Sequence, residues 1–298
     1  MIDASLTLAA ANPVDHVVNH GFFKIGDIWV WSAHTGNLIL AALIVIAGGL
    51  WAAGKIETGP ESDGTHRFVT RNRFAHMLEV ICVYLKENTV RPLLGDRTDR
   101  FMPFLWTLFF FILVNNLLGL VPILDLFLLN KSLKSAHESP FGGTATQNIY
   151  VTGGLALISF IVINAAGIKQ LGIKGYLMHL TGGAPAYIWP ILVPVEILGT
   201  FIKPIALAIR LFANMTAGHI LVATLFGFVG SAYVGGLLLF GTVGVLSAIG
   251  ALAIYFLEIF VGFLQAFVFM FLTTVFISQL DHHGDHDHDH AHEPVAAH

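Results

Sequence analysis

Charge is what this chain has least of. Of its 298 residues, 15 are Lys or Arg and 19 are Asp or Glu, 11% together, against 55% hydrophobic residues and a mean hydropathy of +0.75. So few charges cannot cover an ordinary soluble surface, which excludes a water-soluble globular domain and predicts an integral membrane protein. There is one cysteine, Cys82. It rules out an internal disulfide and a cysteine metal cluster, and reads as a small buried or interfacial side chain. No basic patch is present, and much of the acid behind the formal net charge of -4 lies after Asp281, so nucleic acid is not an expected partner. The opening MIDASLTLAAANPVDH lacks a basic segment leading into an apolar one, and no cleavable signal peptide is expected. Internal repeats are missing. So is any GxxxxGK[ST] phosphate loop, and no cofactor is expected.

What the chain does have is long apolar runs. Crossing a hydrocarbon core of about 30 Å takes roughly 20 residues of helix, and such runs lie at 35–54, 101–130, 150–168, 187–227 and 232–280. The last two exceed one perpendicular crossing and must tilt or bend. Between the first two spans, Phe74, Met77, Leu78, Ile81 and Leu85 recur at helical spacing, with Arg71, Glu79 and Lys86 elsewhere on the wheel. This pattern predicts an amphipathic helix over 68–94, lying on the membrane surface. The expected class is an all-α integral membrane protein of five transmembrane helices plus that surface helix, the last two helices long, tilted and antiparallel. Residues 1–34 form an N-terminal extracytoplasmic segment, 35–280 the membrane domain and 281–298 a His/Asp-rich tail.

Orientation follows from the basic residues. Lys55, Arg67, Arg71, Arg73, Lys86, Arg91, Arg97 and Arg100 crowd one connection, which places it in the cytoplasm. With five spans the N-terminus is then outside, Lys131 and Lys134 lie in an outer loop, Lys169 and Lys174 return inside, and the tail is cytoplasmic. A multi-pass protein of a bacterial inner membrane fits this plan.

Arg210 stands in PIALAIRLFANMTAGHILVATLFGF with no carboxylate within two helical turns. An arginine at a bilayer centre costs on the order of 2.5–3.5 kcal/mol on insertion scales, so an intramembrane ionisable residue marks function by default. At i+3, i+4 and i+7 from it stand Ala213, Asn214 and Ala217, small residues that let another helix, or an acidic partner on another chain, come close. A turn at 231–236 makes the last two spans a hairpin, and counting outward from it sets Arg210 level with Gln265 and His219 level with Glu258. Arg210 and His219 are nine residues apart, about 13 Å along a helix, and Glu258 and Gln265, seven apart, share a face. A His and a Glu exchange protons near neutral pH, whereas an arginine keeps its proton, so the set reads as a proton ladder closed by a gate. The same His and Glu also fit a plain polar contact between two helices.

IKPIALAIRLFANMTAGHIL followed by YFLEIFVGFLQAFVFMFL resembles the signature of subunit a of the F-type ATP synthase, the stator half of its proton channel. FMPFLWTLFFFILVNNLLGLVP extends the resemblance, which covers most of residues 101–278. It implies that Arg210 is the family's essential arginine, Asn214 its polar neighbour and Gln265 the facing glutamine. Asn116, His219 and Glu258 would line the outer half-channel, and Glu196 and Lys203 would lie toward the cytoplasmic end of the same helix as Arg210. It also implies a rotating ring of c subunits, b-type peripheral stalk subunits and the rest of the two-sector enzyme as partners, with this subunit not catalytic on its own. In many bacterial members the acid and histidine stand the other way round from His219 and Glu258. Gly119 and Asn148 take places where acids are usual.

The tail DHHGDHDHDHAHE offers imidazole and carboxylate groups, and His282, His283, His286, His288, His290 and His292 are weak candidate ligands for Zn, Ni or Cu. A solvated tail with incidental metal affinity fits the same composition. The alternative for the whole chain is a proton-coupled or metal-ion secondary transporter with that tail as a metal collector, although the paired repeats usual in transporters are missing.

Overall fold

A computed structural model describes residues 21–25, 28–58, 68–70, 72–121, 144–179, 181, 185 and 187–279. The expectations concerning residues 1–20, the outer-loop lysines Lys131 and Lys134, and the histidines of the tail lie outside the described residues. In chain order the elements are β1 (Gly21–Ile25), β2 (Ile28–Ser32), α1 (Ala33–Ala53), β3 (Ile56–Thr58) and β4 (Phe68–Thr70). There follow α2 (Arg73–Tyr84), α3 (Thr98–Leu120), α4 (Ile149–His179), α5 (Trp189–Val234) and α6 (Val245–Gln279). Among the described residues five segments are long and apolar enough to cross a membrane: Ala33–Ala53, Arg73–Leu120, Ile149–Lys169, Trp189–Val234 and Phe240–Gln279. The last two, of 46 and 40 residues, run about 69 and 60 Å at 1.5 Å per residue, well beyond one perpendicular crossing.

The chain divides into two compact units. The first takes Met1–Leu50, Phe109–Thr152 and Ile209–Phe267, and the second Trp51–Leu108, Gly153–Ala208 and Val268–His298. Within the first, β1 and β2 form an antiparallel ribbon and feed α1 directly. Its core is apolar and tightly packed: Ile112, Leu211, Met215 and Ala266 are fully buried, and the Phe109 and Phe263 rings meet edge to face at 5.8 Å. Lipid tails are as apolar as these side chains, so the gain comes from dispersion contacts rather than from release of water. The first unit also carries large apolar side chains on its outside, including Leu43, Leu246, Phe256 and Phe260. In water such a surface would aggregate; against lipid it is the solvated face.

α5 and α6 reverse direction through Gly235 and Gly236. Gly236 adopts φ +104°, a region L side chains rarely enter, and lets the chain turn back at once. A single α turn, Leu237–Leu239, and a π turn, Phe240–Gly244, lead into α6. The helix ends at the turn are satisfied locally: Gly235 N–H donates to Ser231 O at 3.1 Å, and Phe240 N–H donates to Gly236 O at 2.9 Å.

The second unit holds the amphipathic stretch. It begins at Arg73 rather than at residue 68, because Phe68–Thr70 pair with Ile56–Thr58 as a short ribbon. Asn72 then caps the helix, its side-chain oxygen accepting from the backbone of Phe74 (3.0 Å) and Ala75 (3.3 Å). One face of α2 buries Ala75, while Phe74, Met77, Val80 and Tyr84 line an exposed apolar face. The helix runs on through a π turn, Leu85–Val90, and Trp106 Nε1 of α3 donates to Cys82 O at 3.1 Å. Lys86 pairs with Asp99 at 2.6 Å near the bend into α3. α4 is broken at Gly172 (φ +68°), and beyond the break Tyr176 hydroxyl bonds back to Asn164 Oδ1.

The backbone at Gly236 gives a direct check. Gly236→Ala is expected to destabilise the protein by about 1–3 kcal/mol, the cost of forcing a side chain into that region. Gly227→Ala, a helical glycine whose added Cβ meets nothing within 4 Å, should be neutral or stabilising by up to about 1 kcal/mol. Thermal unfolding in detergent micelles reads both.

Candidate functional site

The first unit contains the polar side chains of interest on α3, α5 and α6, together with the segment that precedes α4. On α5, Arg210, Ala213, Asn214 and Ala217 share one exposed face, as the i, i+3, i+4, i+7 spacing dictates. Among the described residues no hydrogen bond or ion pair reaches Arg210. The guanidinium is exposed and stands beside alanines.

Gln265 is 3% exposed, and its Oε1 accepts from Asn214 Nδ2 at 3.2 Å. Counting from the turn sets Gln265 level with Arg210, but its bonded partner is the residue one turn further along α5. Helical side chains lean toward the N-terminus of their own helix. On two antiparallel helices they lean in opposite senses, so touching tips belong to residues offset in depth.

By the count that sets Gln265 level with Arg210, His219 stands two residues further along α5 than the level of Glu258, an offset in the same sense, and His219 Nε2 lies 3.3 Å from Glu258 Oε1. The carboxylate is 3% exposed and the imidazole 21%. Gly218 lets the carboxylate lie this close to α5, since a Cβ there would stand 2.8 Å from Glu258 Oε1. A protonated imidazole at this distance can pass its Nε2 proton to the carboxylate directly, leaving two neutral groups.

Asn116 of α3 is fully buried and doubly used: its Nδ2 donates to Gly262 O of α6 at 3.0 Å, and its Oδ1 accepts from Thr146 at 2.8 Å. Its neighbour Asn115 turns the other way and donates to Phe111 O of its own helix at 2.8 Å. Thr144, Thr146 and Gln147 are buried polar residues that sequence reasoning did not single out. Thr144 Oγ1 is 2.7 Å from His219 Nε2, and Gln147 Nε2 donates to Met215 O at 3.4 Å. Their signal in the sequence is a cluster of polar residues, TATQN, set directly against an apolar run. Asn148 does not join this network; its Oδ1 accepts from Tyr150 N–H at 3.0 Å and caps the start of α4. At the far end of α3, Tyr255 hydroxyl donates to Leu120 O at 2.6 Å, satisfying a carbonyl that the helix end leaves open.

Glu196 and Lys203 belong to the second unit. They stand seven residues apart on one face of α5, and Lys203 Nζ donates to Gln279 Oε1 at 3.2 Å while resting 5.2 Å from the centre of the Phe276 ring. Glu196 is half-buried, and its backbone carbonyl accepts from Thr200 at 2.9 Å. Among the described residues no group of three or more His, Cys, Asp or Glu could hold a metal ion.

The fold and this site together define a polytopic helical membrane protein with an exposed intramembrane cation and, in the same unit, a buried acid beside a partly exposed imidazole. Residues 36–278 match the family model described as ATP synthase A chain, and the chain belongs to that family. It is 42% identical over 236 residues to "ATP synthase subunit a" of Chloroherpeton thalassium, an alignment covering 77% of this chain and 63% of that protein. It is 39% identical over 258 residues to the protein of the same description from Myxococcus xanthus, covering 85% of this chain and 75% of the relative. With "ATP synthase subunit a 2" of Chlorobaculum tepidum the identity is 41% over 227 residues, 75% of this chain and 57% of the relative. The chain thus spans between about half and three quarters of the length of these relatives. The family match does not favour the secondary-transporter alternative.

The network at Asn116 makes a quantitative claim. Asn116→Leu leaves the Gly262 carbonyl and the Thr146 hydroxyl without partners in an apolar interior, and should cost about 1–3 kcal/mol. In a double-mutant cycle with Thr146→Val the two changes should couple by about 0.5–1.5 kcal/mol, measured by unfolding in mixed micelles; strict additivity would mean that the hydrogen bond contributes nothing.

Proposed function

We propose that this chain is the proton-translocating stator subunit in the membrane sector of an F-type ATP synthase, set against a ring of carboxylate-bearing c subunits and held by b-type stalk subunits. The observation that carries this reading is Arg210, exposed on a stripe of small residues in the same unit as the buried Glu258 and its partly exposed neighbour His219. A fixed cation on such a stripe faces a neighbouring chain rather than its own, and the charge it favours there is a carboxylate.

In this reading protons enter from the outer side through groups lined by Asn116, His219 and Glu258 and reach a ring carboxylate. They leave toward the cytoplasm past Glu196 and Lys203, with Asn214 and Gln265 flanking the arginine. Arg210 favours the ionised form of each ring carboxylate as it passes and keeps the two half-channels from joining, because a guanidinium does not release its proton. The membrane potential supplies about 2.3 kcal/mol per charge per 100 mV to bias the rotation. Phosphoryl chemistry belongs to other chains of the complex. The N-terminus lies outside and the tail in the cytoplasm of a bacterial inner membrane.

Arg210→Ala in the whole complex tests the reading. ATP-driven acidification of inverted vesicles should fall to the level of vesicles lacking the enzyme, with the complex still assembled, and passive proton leak with the ATPase stopped should rise. Normal pumping by this variant would overturn the assignment.

A further inference from the structure

His219 Nε2 has two polar neighbours: Glu258 Oε1 at 3.3 Å and, closer, Thr144 Oγ1 at 2.7 Å. The two differ in what they can do. An ionised carboxylate only accepts, so it can hold the ring only while Nε2 carries a proton, whereas a hydroxyl both accepts and donates. Once the imidazolium has given its Nε2 proton to Glu258, the N–H bond is broken and an O–H bond formed. The ring is then neutral with its remaining proton on Nδ1, and Nε2 bears a lone pair. Once Glu258 has in turn passed that proton on, its carboxylate again only accepts; the Thr144 hydroxyl then donates to Nε2 and keeps the ring in place until a proton from water is returned to Nε2.

Thr144 is fully buried, and its position is built rather than incidental. Its carbonyl accepts from Gln147 N–H at 2.9 Å, and the segment is pinned by Thr146 on Asn116 and by Gln147 on Met215. The space for its side chain exists because residue 119 is glycine. A Cβ on Gly119 would lie 1.9 Å from Thr144 Oγ1 and 2.4 Å from both Cβ and Cγ2, distances no rotamer change relieves. Glu258 is the one titratable side chain that the described contacts bring to His219.

We propose that Thr144 is a positioning residue of the proton path, its hydroxyl holding His219 beside Glu258, and that Gly119 is the residue that makes room for it. The inference rests on the proton-translocating reading given above. It deepens that reading by giving the uncharged residue at 119 a specific use.

The test uses the intact complex in inverted vesicles, with the amount of this chain in the purified enzyme as the control for assembly. Thr144→Val, which keeps the shape and removes the hydroxyl, should slow ATP-driven acidification about tenfold, the effect of one lost hydrogen bond in the transfer step. Thr144→Ser should restore pumping to within about twofold, a rescue that a role in packing alone would not give. Gly119→Ala should match Thr144→Val, and the double variant should be no slower than either single one, since both act on one contact. Wild-type rates for Thr144→Val, or a serine variant as slow as the valine one, would overturn the inference. If Gly119→Ala fails to assemble, the valine and serine variants decide the matter. Arg210→Ala separates the two levels: pumping by that variant overturns the underlying reading, while a silent Arg210→Ala beside a normal Thr144→Val overturns only the role of Thr144.

Discussion

The two hydrogen bonds of Asn116 are the interaction on which the first unit depends. A primary amide in an apolar bundle costs several kcal/mol unless both its ends are used, and here both are. By reaching Gly262 it ties α3 to α6, and by accepting from Thr146 it fixes the segment ahead of α4. That segment carries Thr144 to His219 and Gln147 to the backbone of α5. Remove the amide and three elements lose their common reference.

Small residues are the complement of this network. Gly119 and Gly218 each leave a hollow that another side chain occupies, Thr144 in the first case and the Glu258 carboxylate in the second. Ala213 and Ala217 keep the exposed face beside Arg210 low. Where polar side chains must come within bonding distance in a crowded helical core, the space is made by what the neighbouring helix omits. Packing of this kind is selective: a single added methyl at residue 119 meets three atoms of one threonine.

Much of this architecture could be read from the sequence because span length and hydropathy depend on composition alone. The hairpin of α5 and α6 was legible from its glycines, and counting from the turn put His219 opposite Glu258. It put Gln265 opposite Arg210 instead of Asn214, because a count of Cα positions ignores the lean of side chains along each helix. The start of α2 was set by the Asn72 cap and by a ribbon of three-residue strands, too short to leave an alternating pattern. The TATQN segment was opaque for a different reason. Its residues act across separations of 30 to 75 positions, which no local periodicity records.

Trp106 holds the carbonyl of Cys82, and that bond joins the amphipathic helix to α3. Cys82 is also the only thiol in the chain and is partly covered. For reagent chemistry this makes α2 singly addressable: an alkylating probe has one point of attachment, with no competing cysteine to remove first. Its rate of reaction becomes a gauge of how often that helix lifts from its seat, taken on the unaltered protein.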